Sequence, residues 1–142
     1  MSVKNLVLGL VLIGAGASLY FGLMGGKAHG LPAVFDQRGL QEVVNASGSK
    51  LVLVNASASW CPPCKMMKEQ TWPDASVEAW VKQNATAVYV DVDADKAMGA
   101  QLNVRSIPTI IAMRSGVEVA RTGGFLAPAE LIAWMEEAKR AR

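Results

Sequence analysis

The only two cysteines of this chain, Cys61 and Cys64, stand three residues apart. They follow an unbroken apolar run, Leu51-Val52-Leu53-Val54, almost at once. After them, Lys65-Met66-Met67-Lys68-Glu69 reads as the opening of a helix. An apolar run without alternation predicts a strand buried on both faces, as in the centre of a parallel sheet. A Cys-x-x-Cys placed between such a strand and a helix start points to thiol–disulfide chemistry. One pair is too few for a disulfide scaffold, so a structural bridge and half of a metal site stay open as rivals.

The length of 142 residues fits one domain with an appendage, and the net charge of +2 is too small to argue for nucleic acid. The 51% hydrophobic content is high for a small domain because the excess sits at the N-terminus. Residues 6–24 carry no charge, and with Asn5 and Gly25 they span roughly 30 Å as a helix, enough to cross a bilayer. Lys4 and the amino terminus precede the run, which orients the remainder outside the cytoplasm. Residues 1–25 are therefore expected to be a membrane anchor. A cleaved signal peptide is the alternative, with small-x-small sites at Ala15-Gly16-Ala17 and Gly26-Lys27-Ala28. Residues 26–32 read as a glycine-rich linker holding His29, the lone histidine, and 33–142 as the folded domain. The basic end, Lys139 to Arg142, reads as a solvated helix terminus.

Along the domain, 33–35 predicts a short edge strand. Asp36 is expected to cap a helix over 37–45, ended by Gly48. A strand over 51–55 leads to the cysteines and to a helix reaching about residue 70, which Thr71-Trp72-Pro73 interrupts. Asp74 caps a helix over 75–83, and 86–92 is a β-branched strand. Asp93-Ala94-Asp95 leads into a short helix ending near Leu102. A strand over 110–113, a turn at Ser115-Gly116 and a partner over 117–121 make a hairpin. Gly123-Gly124 breaks the chain before a helix over 127–140, whose stripe is Leu131, Trp134, Met135 and Ala138. The order β-α-β-α-α-β-α-β-β-α calls for an α/β fold, a mixed central sheet with helices on both faces.

Four features together resemble the thioredoxin superfamily over residues 33–140. They are Trp60-Cys61-Pro62-Pro63-Cys64-Lys65 after a buried strand, Ser106-Ile107-Pro108-Thr109 with its proline 44 residues beyond Cys64, the hairpin with Gly116, and Gly124 before the closing helix. Thr71-Trp72-Pro73-Asp74-Ala75-Ser76-Val77 is similar to the broken active-site helix of the C-terminal domain of DsbD-type interchange proteins and their single-domain extracytoplasmic relatives. Trp-Cys-Pro-Pro-Cys also occurs in TlpA-like reductases, but the insertion those usually carry has no room here.

The resemblance implies a thioredoxin fold and an extracytoplasmic thiol–disulfide oxidoreductase that reduces or exchanges protein disulfides. Cys61 is then the exposed nucleophile, and Cys64 the buried resolving thiol. Ile107 and a cis Pro108 position the substrate beside them. Trp60 either shapes the rim of the site or packs as a core aromatic, while Pro62, Pro63 and Asn55 support the site. Partners would be a disulfide-containing protein, a dithiol donor protein and the membrane, with no nucleic acid. No cofactor and no metal is expected. Thioredoxins usually carry a buried aspartate six residues before the first cysteine, paired with a lysine on the next strand. Asn55 and Tyr89 stand there instead, and Asn55 cannot titrate.

Chemistry refines this expectation. A helix N-terminus favours the thiolate that exchange requires. Pro62 and Pro63 lack N–H groups, which leaves the amides of Cys64 and Lys65 as donors to the Cys61 sulfur. Fewer donors make the reduced form less stable and the protein a better reductant. Met66 and Met67 adjoin the cysteines and admit a Cu(I) chaperone, since thioether and thiolate are soft ligands, although methionine at helical spacing is mostly core. A non-catalytic binding module with a structural bridge is the other alternative. Trp72, Trp80 and Trp134 read as packing. Lys65 stands where covalent haem attachment would need histidine.

Overall fold

The computed structural model describes residues 31–141. The expected anchor or signal peptide, His29 and Arg142 lie outside the described residues. Among the described residues no helix is long and apolar enough to cross a membrane.

Five strands form one sheet in the order β1-β3-β2-β4-β5. They are β1 (Phe35–Asp36), β2 (Leu51–Ser57), β3 (Ala85–Asp91), β4 (Thr109–Arg114) and β5 (Val117–Gly123). β1 and β2 both run parallel to β3, whereas β4 is antiparallel to β2 and β5 to β4. All seven residues of β2 are buried, as its unbroken apolar run predicts for the central strand. Alternation along β2 splits its side chains between two cores. Leu51 and Leu53 face Met67, Trp72, Trp80, Leu131 and Met135, while Val52 and Val54 face Leu40, Val43, Leu102 and Ile111. Each large apolar side chain so buried contributes roughly 1.5–3 kcal/mol.

The helices are α1 (Leu40–Ser47), α2 (Pro62–Met66), α3 (Ala75–Asn84), α4 (Lys96–Gln101) and α5 (Pro128–Arg140). Two details differ from the sequence expectation. Asp36 does not cap α1. It is the second residue of β1, and its carboxylate accepts from the backbone N and the guanidinium of Arg38. Those hydrogen bonds hold the Asp36 carboxyl down to about 2. With that acceptor already engaged, α1 starts at Leu40 behind Gly39, with no side-chain cap. The second difference follows α2. The helix continues as a π turn over Met67–Thr71, closed by Trp72 N donating to Met67 O at 2.9 Å. Pro73 has no N–H to extend an α-helix, and Thr71 Oγ1 donates to Leu126 O at 2.6 Å. The wider turn leaves Met67, Thr71 and Trp72 all fully buried.

Other signals read from the sequence hold. Asp74 caps α3 by accepting from Ser76 N at 2.9 Å. The Asp93-Ala94-Asp95 lead-in does open α4, and its last residue caps the helix, Asp95 accepting from Met98 N at 2.9 Å. Ser115 and Gly116 both have positive φ, 51° and 78°, as a tight hairpin turn of this sheet twist demands. Of the predicted stripe on α5, Leu131, Met135 and Ala138 are buried, and Trp134 is partly so.

Candidate active site

The central strand delivers the cysteines to the edge of the sheet. β2 ends at Ser57, and Cys61 takes the N-cap position of α2 with extended backbone. Pro62 and Pro63 fill the first two helical positions, where an amide hydrogen would find no helical partner in any case. The Cys61 sulfur accepts from Cys64 N at 3.3 Å. Lys65 N, the second donor that the sequence suggests for that sulfur, instead donates to Cys61 O at 3.1 Å, as the first turn of a helix requires. The sulfur thus has one amide donor among the described residues. The two cysteines are disulfide-bonded, with their Cα atoms 5.2 Å apart.

The resemblance implies an exposed Cys61 and a buried Cys64. Both are in fact buried, at 3% and 4% of their surface. The carbonyl of Ile107 lies 3.7 Å from the Cys61 sulfur and covers it. The asymmetry between the cysteines is one of access. Cys61 lines an open groove of about 480 Å³, walled by Trp60, Pro62, Val104 and Ile107 among others, and Cys64 does not.

The far wall of the groove is the loop before β4. The Ile107–Pro108 bond is cis, as the resemblance implies. Register places Thr109 opposite Ala56, so this loop lies beside the end of β2. Pro108 O accepts from Gly124 N at 2.9 Å, and Thr109 Oγ1 donates to Ser106 O at 2.6 Å. Gly124 makes its bond at φ 85°, which a side chain resists. Gly124→Ala is therefore expected to lower stability by roughly 1–3 kcal/mol, measured by urea denaturation. It should also slow disulfide exchange by loosening the hold on Pro108.

Trp60 belongs to the rim and not to the core. It is 64% exposed, and its indole Nε1 donates to the Asp93 carboxylate. Asp91 sets up that acceptor by receiving the backbone N–H groups of Asp93 and Ala94. From the sequence, Asp93 reads only as a lead-in to α4. The Asp-x-Asp-x-Asp run is visible there, but its contact to Trp60 spans 33 positions of sequence.

Asn55 and Tyr89 are register partners on adjacent strands, as their alignment requires. Asn55 is buried, on the same face of β2 as Leu53, and its Oδ1 has no hydrogen-bond partner among the described residues. The buried polar residues described are Asn55, Ser57, Thr71 and Thr109, and none of them titrates in the ordinary range. Met67 is fully buried in the apolar core and Met66 is 41% exposed, so the two do not converge on the cysteines as a ligand pair. Among the described residues no group of three or more His, Cys, Asp or Glu could hold a metal ion.

A mixed five-stranded sheet that sets a Cys-x-x-Cys pair against a cis-proline loop defines a redox protein of the thioredoxin fold. Residues 40–139 match the family described as thioredoxin-like domain, and the chain belongs to that family. It is 41% identical over 88 residues to thioredoxin C-3 of Corynebacterium nephridii, an alignment covering 61% of this chain and 57% of that one. It is 37% identical over 84 residues to the thioredoxin of Oryctolagus cuniculus, covering 59% and 76%. The chain thus spans little more than half the length of the first relative. Among solved structures, the thioredoxin of Fasciola hepatica superposes with a TM-score of 0.56 at 28% identity, over 72% of this chain and 91% of that one. A structure described as DsbH oxidoreductase superposes at 0.65 over 79% and 89%. Its 19% identity makes that a likeness of fold alone.

Proposed function

We propose that this chain is an extracytoplasmic thiol–disulfide oxidoreductase that reduces or exchanges disulfides of other proteins, tethered to the membrane by residues 6–24. The observation that carries the activity is the Cys61–Cys64 disulfide with Cys61 alone opening on a groove beside the Ile107 backbone. In the reduced protein the Cys61 thiolate attacks a substrate sulfur. The substrate S–S bond breaks, and one substrate thiolate leaves and takes up a proton. Cys64 then loses its proton and attacks the Cys61 sulfur. The second substrate thiol is released and the Cys61–Cys64 disulfide forms. Two electrons have passed to the substrate, and a dithiol donor protein returns them. Ile107 and Pro108 offer a backbone edge along which an extended substrate segment lies. The extracytoplasmic location rests on the uncharged run and the Lys4 flank, and the kinship to the DsbD-type group on the Thr71–Val77 stretch.

Cys64→Ser removes the resolving thiol and tests this reading. Mixed disulfides on Cys61 should accumulate in cells, and mass spectrometry would name the partners. Recovering none would count decisively against exchange. The sulfur environment favours a reductant. With one amide donor and no histidine between the cysteines, the thiolate is weakly supported. The reduction potential is expected well below the roughly −120 mV of strongly oxidising members. Equilibration with glutathione measures it, and a value near that figure would make the protein an oxidant.

A further inference from the structure

The groove beside Cys61 has one ionic side chain in its lining, with the Asp93 carboxylate held at the rim by the Trp60 indole. Among its described lining residues Arg105 alone is ionic, and the others include Trp60, Pro62, Val92, Val104 and Ile107. Arg105 is exposed, and its Nε donates to Asn103 Oδ1 at 3.3 Å. No carboxylate pairs with it, since the ion pairs among the described residues are Arg38–Asp36 and Arg121–Glu118. The contrast with Arg121 is informative, because both arginines line the neighbouring groove. Arg121 is neutralised by Glu118 and also donates to Leu102 O and Asn103 O. Those bonds pin the loop that carries Arg105. Asn103 in turn anchors one edge of the Arg105 guanidinium, leaving Nη1 and Nη2 without a protein acceptor among the described residues.

We propose that Arg105 selects substrates that carry an acidic residue about two positions from the attacked cysteine. The inference rests on the oxidoreductase reading given above. Arg105 precedes Ile107 by two residues, and the chain bends at Ser106 and Ile107, which keeps the two side chains at one end of the groove. A substrate strand lying along Ile107 with its cysteine at Cys61 brings residues within about two positions of that cysteine toward the guanidinium. A carboxylate there accepts from Nη1 and Nη2 together, the geometry for which a guanidinium fork is preorganised. A lysine there meets the like charge of Arg105, which no carboxylate pairs directly. The apolar walls accept the rest of the segment without regard to charge.

Three peptides test this. Each has one cysteine blocked as a 2-pyridyl disulfide, whose leaving group is neutral, and carries Glu, Gln or Lys two residues from the cysteine on either side. The full chain is reduced beforehand and mixed with each peptide. Cys61 attacks the peptide sulfur and pyridine-2-thione leaves. Cys64 then displaces the peptide thiol as the Cys61–Cys64 disulfide forms. The second-order rate constant is read from thione absorbance.

The Glu peptide should outpace the Lys peptide roughly three- to tenfold at low salt, an attraction and a repulsion each the size of an exposed ion pair. The ratio should shrink as salt is added. Arg105→Gln should bring it near one, and Arg105→Glu should invert it. A wild-type ratio of one, or a preference that survives in Arg105→Glu, overturns the role of Arg105 and leaves the oxidoreductase reading standing. A wild-type chain that reacts with none of the three peptides overturns both.

Discussion

Cys61→Ser is expected to reduce disulfide exchange to the uncatalysed background, while Cys64→Ser still captures substrate. The difference follows from access. Cys61 lines the groove and Cys64 does not, so the Cys61 sulfur is the one expected to meet a substrate disulfide. Serine in its place has no thiolate to offer at neutral pH. The same substitution has a separate effect on stability. A cross-link closing a loop of about four residues stabilises by about 2 kcal/mol on the chain-entropy account. Cys61→Ser should therefore lose about that much against the oxidised wild type and almost nothing against the reduced one. Denaturation with and without reductant distinguishes the two comparisons. If the bridge were purely structural, Cys61→Ser would keep full function and lose stability alone. Retained exchange by that variant would end the nucleophile assignment.

Trp72→Ala should cost about 3–5 kcal/mol, a large share of the 5–15 kcal/mol that a domain of this size commonly has. Trp72 is fully buried where the π turn ends, and its ring centroid lies 4.8 Å from that of Phe35. Its removal empties the centre of the core beneath the active-site helix. Trp72→Phe should cost markedly less. Trp72 Nε1 is buried without a hydrogen-bond partner among the described residues, and an unmet donor carries a penalty of about 1–3 kcal/mol. Phenylalanine removes that donor along with some volume, so two effects oppose. Urea denaturation of the reduced proteins measures both. The midpoint should fall with little change in slope. A Phe variant as unstable as the Ala variant would overturn both the volume and the unmet-donor accounts.

Features written in local chemistry are legible without the structure. The unbroken Leu51–Val54 run places the central strand and Asp74 marks a helix start, while the loop of Pro108 facing the cysteines is legible only through the family resemblance. What cannot be read depends on competition or on distance. Asp36 looks like a cap because nothing in its spacing shows that Arg38 takes its oxygens. The π turn arises from Pro73 and the Thr71 bond to Leu126, a partner 55 residues away. The carbonyl that stands 3.7 Å from the buried Cys61 sulfur belongs to Ile107, 46 residues on. Helix-start chemistry alone leaves that sulfur in the open. Periodicity is likewise silent on the contrast between Arg105 and Arg121, because a glutamate across three residues of β5 decides it.

The antiparallel pairing of β4 with β2 also bears on how the chain is made. A ribosome emits Cys61 and Cys64 well before Pro108, and β4 completes the groove only when Thr109 reaches Ala56. Until then the nascent chain carries a dithiol with no wall beside it and no backbone edge to orient a partner. Substrate choice is thus a property of the finished sheet. The reactive sulfur is born earlier and must pass through a period in which it is nucleophilic but undiscriminating. Its nearest thiol in that interval is Cys64, three residues away, and the pair stays a dithiol until a disulfide of another protein accepts its two electrons.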